Sequence, residues 1–378
     1  MKIIFLFLGE AHHVFHALPL APEIARLSPD IDIELLFTDA LQMEMAQRVF
    51  QAYPEFSSRN SRIIRFSLLD RLQRQGLVKK RPRLAMLLAM LPELRTADAI
   101  VVPERTTTAI RHFLSKKTKL IFTPHGAGDR AIMLDPRDRH FDFVLVAGPK
   151  SEKRLIEART IRPGHYTVNG YIKADLMQKM GRSSEKVAPL FDNDRPVVLY
   201  NPHFRAELSS WPRFGRELIA AFAVQDRFNL VVAPHFRLFS DTDEHTKQEV
   251  ESLAVPDKIL IDLRSDRLFD MSYTLGADIY VGDVSSQVYE FLTVPRPCVF
   301  LDAHATAWRS NPDYRFWTLG AVATDVYGVM AAVQVARERH SLYLEPQVEA
   351  LADSIGTPSG AVERGALGII NFLKGVQA

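Results

Sequence analysis

The sequence predicts an α/β protein with two doubly wound domains that face each other across a cleft. Three observations predict this class. The chain has 378 residues, more than one hydrophobic core usually contains. Continuous runs of Val, Ile, Leu and Phe alternate with helix-like segments, which is typical of parallel strands covered on both faces. A polar stretch with prolines, Met180 to Pro196, divides the strands into two series, and we interpret it as a linker.

The first predicted domain is residues 1–180, and its strands are Lys2–Leu8, Ile31–Phe37, Arg62–Phe66, Ala99–Val102, Lys119–Thr123 and Phe143–Ala147. The second is residues 195–378, with strands Pro196–Tyr200, Asn229–Ala233, Lys258–Asp262, Asp278–Gly282, Cys298–Leu301 and Ala321–Thr324. Between them, Ala40–Tyr53, Lys150–Ala158 and Trp211–Val224 have helical character. The final helix is free to pack back on the first domain. Alternating strands and helices predict right-handed crossovers, with ligands at the carboxyl ends of the strands.

Composition limits the classes of function. Hydrophobic residues make up 47% and charged residues 24% of the chain, and the net charge is +2, so no overall field favours nucleic acid and we expect none as a partner. The only cysteine, Cys298, cannot form an intrachain disulfide, which fits a reducing compartment. The apolar N-terminus is short and lacks a small-residue cleavage site, so we interpret it as a first strand and expect a cytoplasmic protein.

The segment "VGDVSSQVYEF", Val281 to Phe291, passes from a strand through a turn containing Asp283 into a helix. Ser285 and Ser286 lie where that helix begins, and unpaired N–H groups and a serine hydroxyl at such a place can bind phosphate. Glu290, about one turn later, is placed to accept from the hydroxyls of a ribose. The pattern favours a nucleotide diphosphate; the alternative is an ordinary serine cap followed by a surface glutamate.

Histidines and arginines follow three other strands. In "LIFTPHGAGDR", Leu120 to Arg130, a strand ends before His125, and Gly126 permits a tight turn, which places His125 as a general base at the cleft edge. The strings "NPHFR" and "APHFR" place a His and an Arg after two strands of the second domain, where they can stabilise phosphoryl charge. These residues are His203, Arg205, His235 and Arg237. The alternative in each case is a histidine that only stabilises its loop.

The segment "GEAHHVFH", Gly9 to His16, contains three histidines and a glutamate after the first strand. His12 and His16 would share one face of a helix. A metal site is one interpretation, but the segment has no HExxH pattern, and acceptor binding by residues such as His12 and a structural role both rank above it. We therefore predict no metal here.

The segment "KKRPRLAMLLAMLPEL", Lys79 to Leu94, begins with four basic residues and continues with the apolar stretch Leu84 to Leu91. Such a combination can lie on an anionic membrane surface. The equally weighted alternative is a basic loop followed by a core helix. A possible peripheral contact through Lys79–Leu91 is thus one of two interpretations that remain open.

Taken together, these motifs resemble the CDP-glycerol glycerophosphotransferase family of teichoic-acid-type polymerases and primases. Asp283 to Ser286, followed by Tyr289-Glu290, is similar to the family's Asp-Tyr-Ser-Ser segment and its later Phe-Glu. His125-Gly126 matches the family's His-Gly, and "VLYNPHFR", Val198 to Arg205, is similar to its Ile-Leu-Tyr-Ala-Pro-Thr-Trp-Arg. Pro234-His235 matches the Pro-His, or a similar pair, that comes after the next strand in the family. The resemblance covers roughly residues 100 to 305.

Departures from the family pattern concern the acceptor side. The family continues His-Gly with Thr-Pro-Xaa-Lys, whereas this chain has Ala127-Gly128-Asp129-Arg130, so that Arg130 stands at the lysine position. Val284 replaces the tyrosine of Asp-Tyr-Ser-Ser, and His203 replaces a Thr or Ser. The N-terminal part, which usually binds the acceptor, matches poorly.

The resemblance implies the two-domain glycosyltransferase-B (GT-B) fold, with a first domain for the acceptor and a second for a nucleotide-linked donor. It implies transfer of a glycerophosphate or related polyol-phosphate group from a CDP-linked donor to a hydroxyl of a cell-surface polysaccharide or lipid-linked acceptor, at the inner face of the cell membrane and without a cofactor. His125 would be the base, and His235, Arg237, Arg205, Ser285 and Ser286 would hold the phosphates. Alternatives are a GT-B glycosyltransferase that uses a nucleotide-sugar donor, a nucleotide-sugar epimerase or hydrolase, and a non-catalytic nucleotide-binding module.

Overall fold

The structure is a computed structural model that describes residues 1–57, 60–77, 81–126, 128–129, 134–182 and 188–376. The chain divides into two compact units. The first comprises residues 1–127, 134–180 and 354–378, and the second comprises residues 128–133 and 181–353. The last 25 residues thus lie in the first unit, whereas the domain predicted from the sequence as 195–378 extends to the end of the chain.

The first unit contains a parallel sheet of seven strands in the order β3-β2-β1-β4-β5-β6-β7. Their bounds are β1 Lys2–Phe7, β2 Asp32–Phe37, β3 Ser61–Ile63, β4 Ala99–Val102, β5 Lys119–Phe122, β6 Phe143–Val146 and β7 Tyr166–Val168. The order reverses between β1 and β4, which makes the carboxyl ends of these strands the expected ligand position. All six predicted strands are present. The prediction omitted β7, a half-buried edge strand of three residues whose short pattern gives little signal.

The helices of the first unit are α1 Val14–Ala17, α2 Leu20–Leu27, α3 Ala40–Gln51, α4 Ser67–Arg74, α5 Arg83–Leu94, α6 Pro149–Glu157 and α7 Ile172–Lys179. Shorter 3₁₀ helices span Ala11–His13, Arg105–Phe113 and Pro136–His140. The beginning of α3 shows how a side chain stabilises the first turn of a helix. The carboxylate of Asp39 accepts the backbone N–H of Gln42 and satisfies one of the N–H groups that the first turn leaves unpaired.

The second unit contains a parallel sheet of six strands in the order β10-β9-β8-β11-β12-β13. Their bounds are β8 Val197–Asn201, β9 Asn229–Val232, β10 Ile259–Ile261, β11 Ile279–Gly282, β12 Cys298–Leu301 and β13 Ala321–Ala323. Its helices are α8 Trp211–Ala223, α9 Glu244–Glu251, α10 Ser272–Gly276, α11 Gln287–Phe291 and α12 Val326–Val335, and α13, Ser341–Ile355, leads out of it. Here the order reverses between β8 and β11. Each predicted strand of the second series is present, and Cys298 is buried in β12.

The final helix, α14 (Ala361–Lys374), explains why residues 354–378 belong to the first unit. The carboxylate of Asp175 accepts the backbone N–H groups of Gly360 and Val362 at 3.0 and 2.8 Å. A Cβ added at Gly368 would lie 2.6 Å from the Cγ2 atom of Thr167 in β7. A glycine at this position therefore permits the close approach of helix and strand. These contacts pack the last helix, α14, on the first unit.

Candidate active site

His125 follows β5 on a sharp turn in the first unit. Its Nδ1 atom lies 3.2 Å from the carbonyl oxygen of Pro103. Because a carbonyl only accepts, this contact places the proton on Nδ1 and leaves the lone pair on Nε2. Gly126 has φ +105°, in the region that favours glycine. The turn thus presents an exposed imidazole whose acceptor nitrogen is Nε2, and a general base needs an acceptor of this kind.

Three further histidines surround His125. The ring centroid of His13 lies 4.0 Å from that of His125, and the rings of His12 and His16 lie at 5.5 and 6.3 Å. Burial, with added repulsion from neighbouring cationic groups, holds the pKa values of His12 and His16 well below the ordinary value, so both rings are neutral near pH 7. The sequence analysis selected His12 and omitted His13. The 3₁₀ turn Ala11–His13 brings both toward His125, and only the adjacent His-His pair pointed to this.

Glu104 is a second residue that the sequence analysis missed. It follows β4, is buried, and its Oε1 atom accepts the backbone N–H of Leu8 at 2.8 Å. The same oxygen lies 4.0 Å from Nδ1 of His13, and Oε2 lies 3.7 Å from Arg83. Burial raises the pKa of Glu104 above the ordinary value. A carboxyl group therefore lies behind the histidines where β1 and β4 end.

In the second unit, Asp283 is buried beneath the surface. Its carboxylate accepts the backbone N–H groups of His203, Ser210 and Val284 at 2.7–2.8 Å and the Ser210 hydroxyl at 3.0 Å. Burial raises its pKa to about 6 even though these hydrogen bonds oppose the rise. The carbonyl of Asp283 also accepts from Nε1 of Trp317. We predicted Asp283 as a cleft residue, and the structure places it as the anchor of the loops that carry the site.

The strings "NPHFR" and "APHFR", here called the echo because they nearly repeat, form the same local structure twice. Nδ1 of His203 accepts the backbone N–H of Arg205 at 3.0 Å, and Nδ1 of His235 accepts that of Arg237 at 3.2 Å. In the neutral form each ring would therefore carry its proton on Nε2, which makes that nitrogen a hydrogen-bond donor. The rings stack with the intervening Phe204, whose centroid is 4.5 Å from each of the two imidazoles.

The two arginines of the echo lie over the same ring. The guanidinium carbons of Arg205 and Arg237 are 5.9 and 5.5 Å from the centroid of Phe204. The stack thus brings two imidazole donors and two permanent positive charges to the carboxyl ends of β8 and β9. Such a set suits an anion with several oxygens, such as a pyrophosphate.

The two serines at the start of α11 have different environments. Ser285 is buried and its hydroxyl accepts the backbone N–H of Gln287 at 3.2 Å, so Ser285 caps the helix. Ser286 is exposed, and a Cβ added at Gly128 would lie 3.1 Å from its Cβ. The sequence analysis gave both serines the same role. The structure leaves Ser286 as the hydroxyl that solvent reaches.

Glu290 is 5% exposed and lines a crevice between α10, α11 and the ends of β8 and β9. Arg267, whose guanidinium lies over the ring of Tyr273 at 4.9 Å, and Leu268 line it as well. These two residues fall in the segment 263–269, which follows β10. Other lining residues include Asn201, Ala233 and Thr274.

The predicted site residues that the structure describes fall into two groups, one in each unit. His12, His125 and Gly126 come together in the first unit, and the other site residues predicted from the sequence lie in the second. Arg130 and Lys79 lie outside the described residues. In the described part of the chain, none of the helices is both long and apolar enough to cross a bilayer.

Helix α5 has a buried side and an exposed side. Met86, Leu87, Met90 and Leu94 are buried, as in a core helix. Leu84 and Leu88 on the same helix remain 48% and 43% exposed, and Leu68 on α4 and Leu77 after it are more exposed still.

Comparison with solved structures shows that the chain has the two-domain α/β fold of the GT-B type. Wall teichoic acid polymerase TagF matches with a TM-score of 0.65 and 13% identity, over 99% of this chain and 89% of that one. The MnaA–UDP structure from S. aureus gives 0.66 and 12%, over 99% and 97%. UDP-GlcNAc 2-epimerase from Neisseria meningitidis, bound to UDP-GlcNAc, gives 0.60 and 13%, over 99% and 100%. A comparison with curated proteins gives no significant match.

A comparison of the sequence with models of protein families gives a more specific assignment than the fold does. The model of the CDP-glycerol:poly(glycerophosphate) glycerophosphotransferase family matches residues 93–349, more than half of the chain. The chain belongs to this family, and it is therefore a transferase.

Proposed function

We propose that the protein transfers a glycerophosphate or related polyol-phosphate group from a CDP-linked donor to a hydroxyl of a cell-surface polysaccharide or lipid-linked acceptor. One observation carries the proposal. Within the family-matched residues, a buried carboxylate, Glu290, lines a crevice one turn after the exposed hydroxyl of Ser286. A carboxylate that accepts from two ribose hydroxyls next to a phosphate-binding hydroxyl suits a nucleotide diphosphate.

The second unit is proposed to bind the donor. The ribose lies against Glu290, and the base lies near Arg267 and Leu268. The pyrophosphate is held by Ser286, by the Nε2–H groups of the echo histidines, and by Arg205 and Arg237. Charge-assisted hydrogen bonds of this kind are about twice as strong as neutral ones. The solved TagF structures include one soaked with CDPG, which is consistent with a CDP-linked donor in this family.

The first unit is proposed to activate the acceptor. Nε2 of His125 accepts the proton of the acceptor hydroxyl, and the hydroxyl oxygen attacks the distal phosphorus of the donor. The bond from that phosphorus to the bridging oxygen breaks, and CMP leaves with the bridging oxygen. Because phosphoryl transfer depends mainly on positioning and on charge stabilisation, the residues above supply the needed groups without a cofactor.

Membrane contact forms a second part of the proposal. The proposed membrane-facing patch groups exposed Leu68, Leu77, Leu84 and Leu88 with Arg65, Arg71 and Arg74, which are near them along the chain. Apolar side chains next to cationic ones bind the interface of an anionic bilayer, where a lipid-linked acceptor is anchored. The patch is proposed to hold the protein at the membrane that carries its acceptor.

The test of the transfer is incubation with CDP-glycerol, and separately with UDP-, GDP- and CMP-linked sugars, with and without an acceptor extract. CMP release from CDP-glycerol that requires the acceptor supports the proposal. The fold shared with UDP-GlcNAc 2-epimerases makes epimerisation the second candidate. Turnover of a nucleotide sugar without any acceptor would replace the proposed transfer by that reaction, and binding without turnover would indicate a binding module.

A further inference from the structure

The imidazoles of His12, His13, His16 and His125, here called the histidine cluster, lie at the carboxyl ends of β1 and β5. A ring nitrogen of His12, one of His13 and one of His125 all lie within 4.8 Å of one another. In a tetrahedral zinc site with bonds of about 2.0–2.1 Å, neighbouring ligand atoms are roughly 3.3 Å apart. Metal binding therefore requires side-chain rotations that bring the three nitrogens from spacings of up to 4.8 Å to about 3.3 Å.

We propose that His12, His13 and His125 form a binding site for one divalent transition-metal ion of the zinc class. The donor set decides the class of ion. Imidazole nitrogens bind Zn²⁺, Cu²⁺ and Ni²⁺ well, whereas Mg²⁺ and Ca²⁺ prefer oxygen ligands. A site whose three ligands are imidazoles is therefore selective for the first group.

The surroundings of His125 orient its ring as a metal ligand. The Nδ1 proton of His125 points to the Pro103 carbonyl at 3.2 Å, so Nε2 is the atom that coordinates. Oε1 of Glu104, which is fixed by the N–H of Leu8, lies 4.0 Å from Nδ1 of His13, beyond hydrogen-bond distance, so this carboxylate is a neighbour of His13 and not a hydrogen-bond partner. Metal-ligating histidines almost always donate their second N–H to a carbonyl or a carboxylate, and such partners set the ring orientation.

Exposure indicates the kind of site. His13 is buried, His12 is half-buried and His125 is exposed, so the site is closed on one side and open on the other. Three protein ligands and one solvent-accessible position describe an open zinc site rather than a structural one, which has four protein ligands. The fourth ligand is then water.

A bound metal ion competes with the proton of the acceptor for Nε2 of His125. This consequence rests on the proposed function, in which His125 is the base. Nε2 of His125 has a single lone pair, and coordination uses the lone pair that accepts the acceptor's proton. The metal-free protein is thus the form competent for the proposed transfer, and a zinc-class ion inhibits it.

The experiment uses the untagged full-length protein after chelator treatment. Zn²⁺ is titrated against a chromophoric chelator, and Co²⁺ is added separately because its visible absorption reports tetrahedral coordination. We expect one Zn²⁺ per chain and a Tm that rises with Zn²⁺, since the ion binds the native state. Loss of an orienting partner alone costs about 10–100-fold in metal affinity, so His13→Gln or His12→Gln should cost at least that much.

His112→Gln is the matched control, because His112 is an exposed histidine of the same unit outside the cluster. It should bind Zn²⁺ like the wild type. If wild type shows no saturable binding, or if both cluster variants bind as tightly as wild type, the proposal is wrong. Metal-free Tm values establish that the variants are folded, and either variant suffices if the other does not fold.

The binding measurement contains neither donor nor acceptor, so its failure leaves the proposed transfer intact, and absence of transfer leaves the metal site intact. Where CMP release is measurable, Zn²⁺ at saturating concentration should abolish it in the wild type. Full turnover by the zinc-loaded protein would contradict the competition at His125.

Discussion

The carboxylate of Asp283 accepts the backbone N–H of Ser210 at 2.7 Å and thereby joins the turn after β11 to the start of α8. The same carboxylate accepts from His203, which joins the loop after β8 to both. The residues proposed to bind the donor flank these loops. The buried anion therefore fixes the geometry of the site while it lies out of reach of solvent.

This arrangement predicts a particular pH dependence for Asp283→Asn. Burial raises the pKa of Asp283 from the usual 3.8 to about 6, so between these values the native state binds the proton that the unfolded state has lost. The contribution of Asp283 to the unfolding free energy therefore falls as pH rises from about 4 to 6, by about 3 kcal/mol for a two-unit shift. The asparagine variant lacks this titration.

Urea unfolding of both proteins between pH 4 and 7 measures the difference. At all pH values the variant should be less stable, because an amide cannot accept from all the donors around position 283. Its deficit should shrink as pH rises. A deficit that grows with pH would mean that the four hydrogen bonds outweigh burial and that the pKa is lowered instead.

The role of His125 as base predicts a selective loss in His125→Ala. General-base catalysis contributes about 10²–10⁴-fold, so CMP release in the presence of acceptor should fall by about that factor. Because the ring is exposed, the Tm should change little. His112→Ala, which removes an exposed imidazole from the same unit, should retain wild-type turnover. Normal turnover in His125→Ala would exclude it as the base.

Much of the fold could be predicted because strands covered on both faces have a simple signature. Ile3 to Phe7 and Val198 to Tyr200 are essentially inaccessible to solvent, and their continuous apolar runs indicated this. The three-residue edge strand β7 has no such run. The place of α14 depends on a close contact between Gly368 and Thr167, and no pattern in the sequence reports contacts between residues so far apart.

Part of the candidate site could be proposed where residue type implies chemistry, as for His125 and Glu290, whose roles stay predictions. The site was not predictable where tertiary contacts decide a role. Asp283 looks like a ligand in sequence and is an anchor, because donors from two other loops converge on it. Glu104 lies in an unremarkable segment, and only the pairing of β1 with β4 brings it to the N–H of Leu8.

Glu290→Gln should weaken donor binding. The substitution removes a charge that ribose hydroxyls would donate to, and hydrogen bonds to charged groups contribute about 1.5–3 kcal/mol, or about 10- to 150-fold in affinity. The rise in Tm that CDP causes in the wild type should decrease accordingly. Glu217→Gln changes an exposed glutamate on α8 and should behave as wild type. An unchanged response to CDP in Glu290→Gln would remove the ribose role.

Arg237→Ala should lower turnover more than it weakens donor binding. A positive charge that stabilises the departing phosphate acts mainly in the transition state, and loss of one such donor costs about 10²-fold or more in kcat. Arg227 is a suitable control, because its guanidinium also lies over a phenylalanine of the second unit, Phe228, at 5.7 Å. Equal effects of Arg237→Ala and Arg227→Ala on kcat would mean that the charge of Arg237 has no special role.

The membrane-facing patch predicts that Leu84→Glu with Leu88→Glu weakens vesicle binding. Both leucines are nearly half exposed, and burying a leucine contributes about 1.5–3 kcal/mol, so two lost anchors should cost at least about tenfold in affinity for anionic vesicles. Leu367→Glu, at a 40% exposed leucine on α14, is the matched control. Co-sedimentation with anionic and neutral vesicles measures the effect. Wild-type binding should be stronger on anionic lipid and should decrease with salt, because the arginines contribute electrostatically. Equal sedimentation of the double variant and the control would place the membrane contact elsewhere.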